Sequence, residues 1–167
     1  MGYLCEYMHV KKIENSMELQ MVQDLARKIW NAHYVSIIGQ EQVNYMLGRM
    51  YDLESLECQL ASGDVFYLLF EGPQPLGFAS IKKEADASWF LNKLYVETEE
   101  HRRGLGGFLL EALIGNHDIQ SMRLQVNRQN YKAINFYFKR GFVIERVADF
   151  DIGDGYFMND FVMVWRK

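Results

Sequence analysis

Cysteine and proline are scarce in this 167-residue chain, two of each. Cys5 and Cys58 lie far apart and match neither a metal-ligand spacing nor a disulfide framework, so two free, buried thiols in a reducing cytosol are expected. Both prolines fall in one short stretch, Glu71 to Pro75, and no Ser/Gly-rich or single-charge tract occurs anywhere. That leaves no linker and no internal repeat, and a length suited to one domain over residues 1–167. The chain also lacks a basic surplus. A net charge of -4 argues against a nucleic-acid partner. No apolar run reaches membrane-spanning length, and Met1 to Lys12 has no signal-peptide core. The Met1-Gly2 start carries Glu6 where a myristoylation site needs Ser or Thr. The expectation is a cytoplasmic protein with no membrane partner and no metal. What the chain has is apolar material, at 49% hydrophobic and 14% aromatic residues, enough for a packed core. Its mild acidity suits a cationic substrate.

The apolar spacing sets out the elements. Leu4 to Val10 reads as a strand. Met17 to His33 carries Leu19, Val22, Leu25, Ala26, Ile29 and Trp30 at helical spacing, with Ser16 as its cap. Two more helical stretches follow, Gln40 to Tyr51 and Leu53 to Ala61, the second stopped by Ser62-Gly63. Val65 to Phe70 and Leu76 to Ile81 flank the Gly/Pro turn as a hairpin, and Ser88 to Val96 is a further strand. A helix from Gly104 to Ile114, a strand from Ser121 to Val126, a helix from Gln129 to Arg140 and strands Phe142 to Val147 and Tyr156 to Trp165 complete the chain. Strands and helices in this order give an α+β domain around a largely antiparallel sheet.

The stretch His101-Arg-Arg-Gly-Leu-Gly-Gly107 sits where a strand turns into a helix. A glycine-rich turn there presents consecutive backbone N–H groups at the positive end of the helix, which is a binding site for phosphate or pyrophosphate. Gly104 and Gly106 permit unusual φ values and close approach of a ligand, and Arg102 and Arg103 add positive charge. A P-loop would close with Gly-Lys-Ser/Thr, but Gly106-Gly107-Phe108 supplies neither residue. A dinucleotide fold usually places such a turn after its first strand, whereas here three helical segments and a hairpin precede it.

A second segment, Val126-Asn-Arg-Gln-Asn-Tyr-Lys-Ala-Ile-Asn-Phe-Tyr-Phe-Lys-Arg-Gly-Phe142, resembles the second signature of the GNAT superfamily of N-acetyltransferases. The upstream turn is similar to that family's acetyl-CoA motif through Arg102, Arg103, Gly104, Leu105 and Gly106, with His101 replacing the usual Gln or Arg. The resemblance covers roughly residues 65 to 166. It implies a mostly antiparallel sheet of about seven strands flanked by helices, and acetyl-CoA as co-substrate. The amides from Arg102 through Gly107 to Phe108 would wrap the pyrophosphate. Leu94, Tyr95 and Val96 would offer main-chain groups to pantetheine on a strand that bulges and splays from the next. An N–H near Leu94 would polarise the thioester carbonyl. Asn130 matches a cofactor-contacting Asn and also reads as a helix cap. Tyr137 matches the tyrosine that protonates the departing thiolate.

The resemblance names no base. Asn92 stands where many members carry Glu, and a water chain to Glu97, Tyr95 or an N-terminal acidic group would have to replace it. Neither cysteine sits in either signature, which favours direct transfer in a ternary complex over an acyl-cysteine route. The N-terminal helices look similar to a bacterial branch that includes polyamine acetylases. Tyr34, Tyr45 and Tyr51, with Glu41 or Asp52, would hold an ammonium there by cation–π and charge contacts, although aromatics at helical spacing are more often core. The acidic stretch Asp149 to Asp154 reads as a solvated hairpin turn or as the edge of a cationic site. The leading acceptor is a small cationic amine such as a polyamine. Two alternatives stay open: a protein N-terminus or lysine, and a CoA-binding regulatory module without turnover. Small members of the family often pair through their last strands, so a homodimer is an expected state.

Overall fold

The computed structural model of the chain describes residues 7–85, 87–97 and 104–167. Its strands are β1 (Met8–Lys12), β2 (Asp64–Glu71), β3 (Gln74–Ala85), β4 (Ser88–Val96), β5 (Ser121–Asn127), β6 (Val143–Gly153) and β7 (Tyr156–Arg166). Its helices are α1 (Ser16–His33), α2 (Val35–Ile38), α3 (Gln40–Met50), α4 (Leu53–Ala61), α5 (Leu105–Asn116) and α6 (Tyr131–Lys139). The strands form one seven-stranded sheet in the order β1-β2-β3-β4-β5-β7-β6. Every neighbouring pair is antiparallel except β4 with β5. The expected α+β fold with a mostly antiparallel seven-stranded sheet is therefore present.

Alternation along the strands gives the sheet two apolar faces. On β2, Phe66 and Leu68 join the core under α1, α3 and α4, together with Leu19, Val22, Ile29 and Trp30. Tyr67 and Leu69 face the other way, into the core under α5 and α6 with Leu109, Leu113 and Ile134. Helices thus cover both sides, and each face has its own core.

Several expectations are corrected at the level of single residues. Asn15, not Ser16, caps α1: its side chain accepts from the Glu18 N–H at 3.1 Å. Cys58 is exposed rather than buried, and Cys5 lies outside the described residues. The short helix α2 has too few residues to show a period. β6 runs well past Val147, so Asp149 and Asp151 are strand residues paired with Asn159 and Phe157, and the reversal falls at Asp154-Gly155. No helix among the described residues is long and apolar enough to cross a membrane.

β3 and β4 approach unusually closely at Gly77, where an added Cβ would lie 2.5 Å from the Tyr95 carbonyl oxygen. Backbone cannot yield as a flexible side chain does, so Gly77→Ala is expected to cost about 1–3 kcal/mol. Gly115 in α5 has nothing within 4 Å of the same position. Gly115→Ala is expected to be neutral or to stabilise by up to about 1 kcal/mol. Urea denaturation of the two variants checks both signs.

Candidate active site

One cavity of about 590 Å³ runs between the sheet and the helices. It is built around a defect in the sheet. The parallel pairing of β4 with β5 extends only from Ser88↔Ser121 to Leu91↔Leu124, and beyond that the strands separate. On the other side of β4, Ser80 pairs with Lys93 and Ile81 with Leu91, so Asn92 is an extra residue in the ladder, a β-bulge.

The bulge resets the alternation. Leu94 and Val96 join the core under α5, and Tyr95 joins the core under α1. Asn92 and Lys93 both turn toward the α1 side: Asn92 Nδ2 donates to Asp64, while Lys93 Nζ donates to Gln59 and sits 5.5 Å from the Tyr51 and Phe66 ring centroids. Burial pushes the Lys93 ammonium down to about 8, against the opposing charge of Asp64. The Glu97 N–H donates to the Leu76 carbonyl at 2.9 Å. Main-chain groups alternate in direction along a strand, so Leu94 and Val96 turn theirs away from β3, toward the gap.

At one end of the cavity lies the start of α5. Gly104 takes the left-handed conformation, φ 75, and no side chain caps the helix. The first helical bond runs from the Phe108 N–H to the Gly104 carbonyl at 3.1 Å. The amides of Leu105, Gly106 and Gly107 precede it and stand outside the helical ladder. Gly104, Gly106 and Gly107 line the cavity, while Leu105 is buried in the core beneath it. Amides that no described residue engages, at a helix N-terminus, suit a phosphate group. Arg102 and Arg103, with His101, lie outside the described residues.

The Tyr137 ring packs against Phe136 and Phe142, with centroids 5.2 and 5.4 Å away, and the residue lines the cavity. Burial raises its phenol well above the ordinary value, so the hydroxyl stays protonated at neutral pH. Asn130 caps α6, its Oδ1 accepting from the Ala133 N–H at 3.2 Å. Its Nδ2 donates to the Tyr34 hydroxyl at 3.2 Å, which fastens α6 to the helical wall opposite.

That wall is aromatic. Tyr34 stacks on Trp30 at 4.5 Å, and Tyr95 meets both rings, at 6.2 and 6.0 Å. Tyr51 closes the cluster, 5.5 Å from Trp30. All four line the cavity. Tyr45 is placed elsewhere: its hydroxyl donates to the Ile152 carbonyl at 2.5 Å and its ring meets Tyr156 at 5.0 Å, so it pins α3 to the β6–β7 hairpin. Asp52 caps α4 by accepting from the Ser55 N–H at 2.6 Å, and Glu41 is exposed on α3. Glu97 is buried and ion-paired with Lys28 at 2.7 Å.

Sequence reasoning missed Asp160. It lies on β7 opposite Asn127, is 5% exposed and lines the cavity. Burial raises its carboxyl to about 6, Arg128 working against that shift and Asp149 adding to it. The signal in the sequence was a carboxylate inside an apolar strand, Phe157 to Trp165. Among the described residues no group of three His, Cys, Asp or Glu side chains is placed to hold a metal ion.

Known proteins share this architecture. The PaiA N-acetyltransferase from Thermoplasma acidophilum, solved in complex with coenzyme A, superposes with a TM-score of 0.77 at 25% identity, over 96% of this chain and 99% of that one. The ribosomal-protein-S18-alanine N-acetyltransferase from Escherichia coli superposes at 0.71 with 17% identity, over 95% and 93% of the two chains. A chimera of the Vibrio cholerae spermidine N-acetyltransferase SpeG and hSSAT superposes at 0.70 with 13% identity, over 96% of each. The sequence model of the acetyltransferase (GNAT) family matches residues 22–142, a span that holds the gap, the α5 amides, Asn130 and Tyr137. With its sheet open at that gap, the chain belongs to the GNAT family of acetyltransferases.

Proposed function

We propose that the chain is one catalytic domain that transfers acetyl from acetyl-CoA to the primary amine of a small cation, a polyamine or a molecule of like charge. The observation that carries this reading is the cavity that passes through the sheet between β4 and β5. Its donor end holds the first α5 amides, and its acceptor side is walled by Trp30, Tyr34, Tyr51 and Tyr95. An aromatic wall attracts an ammonium through its π faces.

Each residue then has a task. The amides of Leu105, Gly106 and Gly107 hold the pyrophosphate, with Arg102, Arg103 and the helix dipole adding positive potential. The main chain of Leu94 and Val96, turned into the gap, aligns the pantetheine arm, while Tyr95 turns its main chain to β3 and its ring to the acceptor side. The Leu94 N–H, turned into the gap, stabilises the oxyanion formed when the amine attacks the thioester carbon. Tyr137 protonates the thiolate as the carbon–sulfur bond breaks, which its raised pKa suits. Asn130 sets the distance between α6, which carries Tyr137, and the Tyr34 wall. Asn92 cannot titrate, so the proton of the acceptor leaves by another route than the bulge side chain. The exposed free thiol of Cys58 suits a reducing, cytoplasmic location. The free edge strand β6 exposes Val143, Ile144 and Val147, which supports pairing of two copies through the last strands.

Thiol release from acetyl-CoA, followed against a panel of diamines, spermidine, lysine peptides and unblocked N-terminal peptides, tests the reading. Turnover is expected with the small cations. Turnover confined to peptides would shift the assignment to a protein acetyltransferase, and tight cofactor binding without turnover on any amine would make the domain a CoA sensor. Tyr137→Phe is expected to lower kcat by about 10²-fold or more while leaving the Kd for CoA unchanged. Gly104→Ala forces a side chain into a left-handed conformation, at about 1–2 kcal/mol. It is expected to weaken CoA binding in calorimetry without moving acceptor KM.

A further inference from the structure

Four carboxylates are buried among the described residues: Glu18, Asp64, Glu97 and Asp160. Three of them are held by cations. Glu18 pairs with Lys11, Glu97 with Lys28, and Asp64 with Lys82 while also accepting from Asn92. Asp160 differs. No side-chain hydrogen bond or ion pair among the described residues reaches its carboxylate, although it faces the cavity. Arg128, the cation nearest in effect, is engaged with Asp149 at 2.5 Å. A buried, unpartnered carboxylate is costly to keep, and a cationic ligand in the cavity would offset that cost.

We infer that Asp160 is the anion that seats the acceptor's ammonium in this cavity and takes its first proton. The inference rests on the N-acetyltransferase reading and deepens it. The side chain lies on the face of the sheet that carries Met158 and the aromatic wall, across from the face that carries Tyr137. Its charge is felt by the Tyr34 hydroxyl, which places the carboxylate and the stacked rings in one corner. The groups around it are Arg128 in the β5–α6 turn, Asp149 on β6, neutral Asn127 on β5 and Tyr34 after α1. His33 reaches Asn130 at 3.4 Å, and Lys132 on α6 lines the same cavity. Carboxylate and rings together make a site for a primary ammonium, and one that repels an acidic acceptor.

The proton balance closes. The acceptor nitrogen loses two protons. The first passes to Asp160, which frees the lone pair, and then to solvent. The nitrogen–carbon bond forms and the carbon–sulfur bond breaks. The thiolate takes the Tyr137 proton, and the second proton of the nitrogen restores Tyr137. The products are an N-acetyl amine, CoA thiol and one proton. A carboxyl near 6 is deprotonated at neutral pH and ready for the first step.

Asp160→Asn tests the assignment with three readouts. Calorimetric titration of 1,4-diaminobutane and of spermidine into the protein–CoA complex is expected to lose about tenfold or more in affinity, as for a lost charge-assisted contact. kcat/KM is expected to fall about 10²-fold or more, and the acid limb of its pH profile near 6 is expected to vanish. CoA affinity and the melting temperature at mildly alkaline pH are expected to hold or rise, because a buried unpartnered charge has been removed. The control Asp151→Asn, exposed on the same hairpin, is expected to leave diamine affinity nearly unchanged. An Asp160→Asn protein that binds and acetylates diamines like the wild type, with the same acid limb, overturns the inference. So does an Asp151→Asn variant more damaged than Asp160→Asn. Should Asp160→Asn fail to fold, the wild type decides: diamines stay cationic across mildly acidic pH, so their binding must weaken below about 6, and a flat profile overturns the assignment. A wild type that binds diamine in this way but transfers no acetyl group would sink the acetyltransferase reading while leaving the ammonium site in place.

Discussion

The structure depends on a ladder that stops early. β4 and β5 pair through four residues and then part, in a sheet whose other strand pairs run on for five or more. Closing the gap would satisfy more backbone groups, so leaving it open has a cost that the surrounding elements must carry. What the gap provides is passage. A packed sheet separates its two faces completely, and here Tyr137 belongs to one core while Tyr34 and Tyr95 belong to the other. Only because the strands part do these side chains line one cavity. A donor approaching from the α5 side and an acceptor approaching from the α1 side can meet at a single carbon atom.

The bulge at Asn92 and the close approach at Gly77 serve the same end. An extra residue in β4 turns two consecutive side chains toward the α1 face and re-aims the main chain beyond it. Gly77 lets β3 lie against the re-aimed strand, which keeps one edge of β4 paired while the other opens. Asn130 then braces the opening, with its carbonyl capping α6 and its amide bonded to Tyr34. Electrostatics follow the same geometry. Among the described residues, lysines pair with the buried carboxylates away from the cavity, and Asp160, which no side chain there reaches, faces into it.

Much of this was legible in the chain because it rests on local rules. The Gly104 turn, the apolar spacing of α1 and the Asn130 cap are short-range features, and each element appeared near its expected place. The two family signatures carried the mostly antiparallel sheet of about seven strands and its splayed strand, which periodicity alone does not specify. What stayed hidden was the pairing of residues distant in sequence. Tyr34 and Tyr45 looked equivalent on the helices, yet one reaches Asn130 across the cavity and the other is spent on Ile152 in the last hairpin. Asp149 and Asp151 drew attention as an acidic run, although they are pairing residues of an edge strand. Asp160 carried a signal, a charge within an apolar strand, but its meaning depends on the register of β7 against β5 and on Arg128 being engaged with Asp149. Neither is visible in a single strand.

The proposed reaction requires the thioester to lie in the gap, with its carbonyl on the Leu94 N–H. A crystal structure with acetyl-CoA, or a non-hydrolysable thioether analogue, measures this directly. The account predicts pyrophosphate on the amides of Leu105 to Gly107, the acyl carbonyl within hydrogen-bond distance of the Leu94 nitrogen, and the Tyr137 hydroxyl facing the sulfur. An acyl group lying outside the β4–β5 gap, or a Leu94 amide turned away from it, would contradict the account.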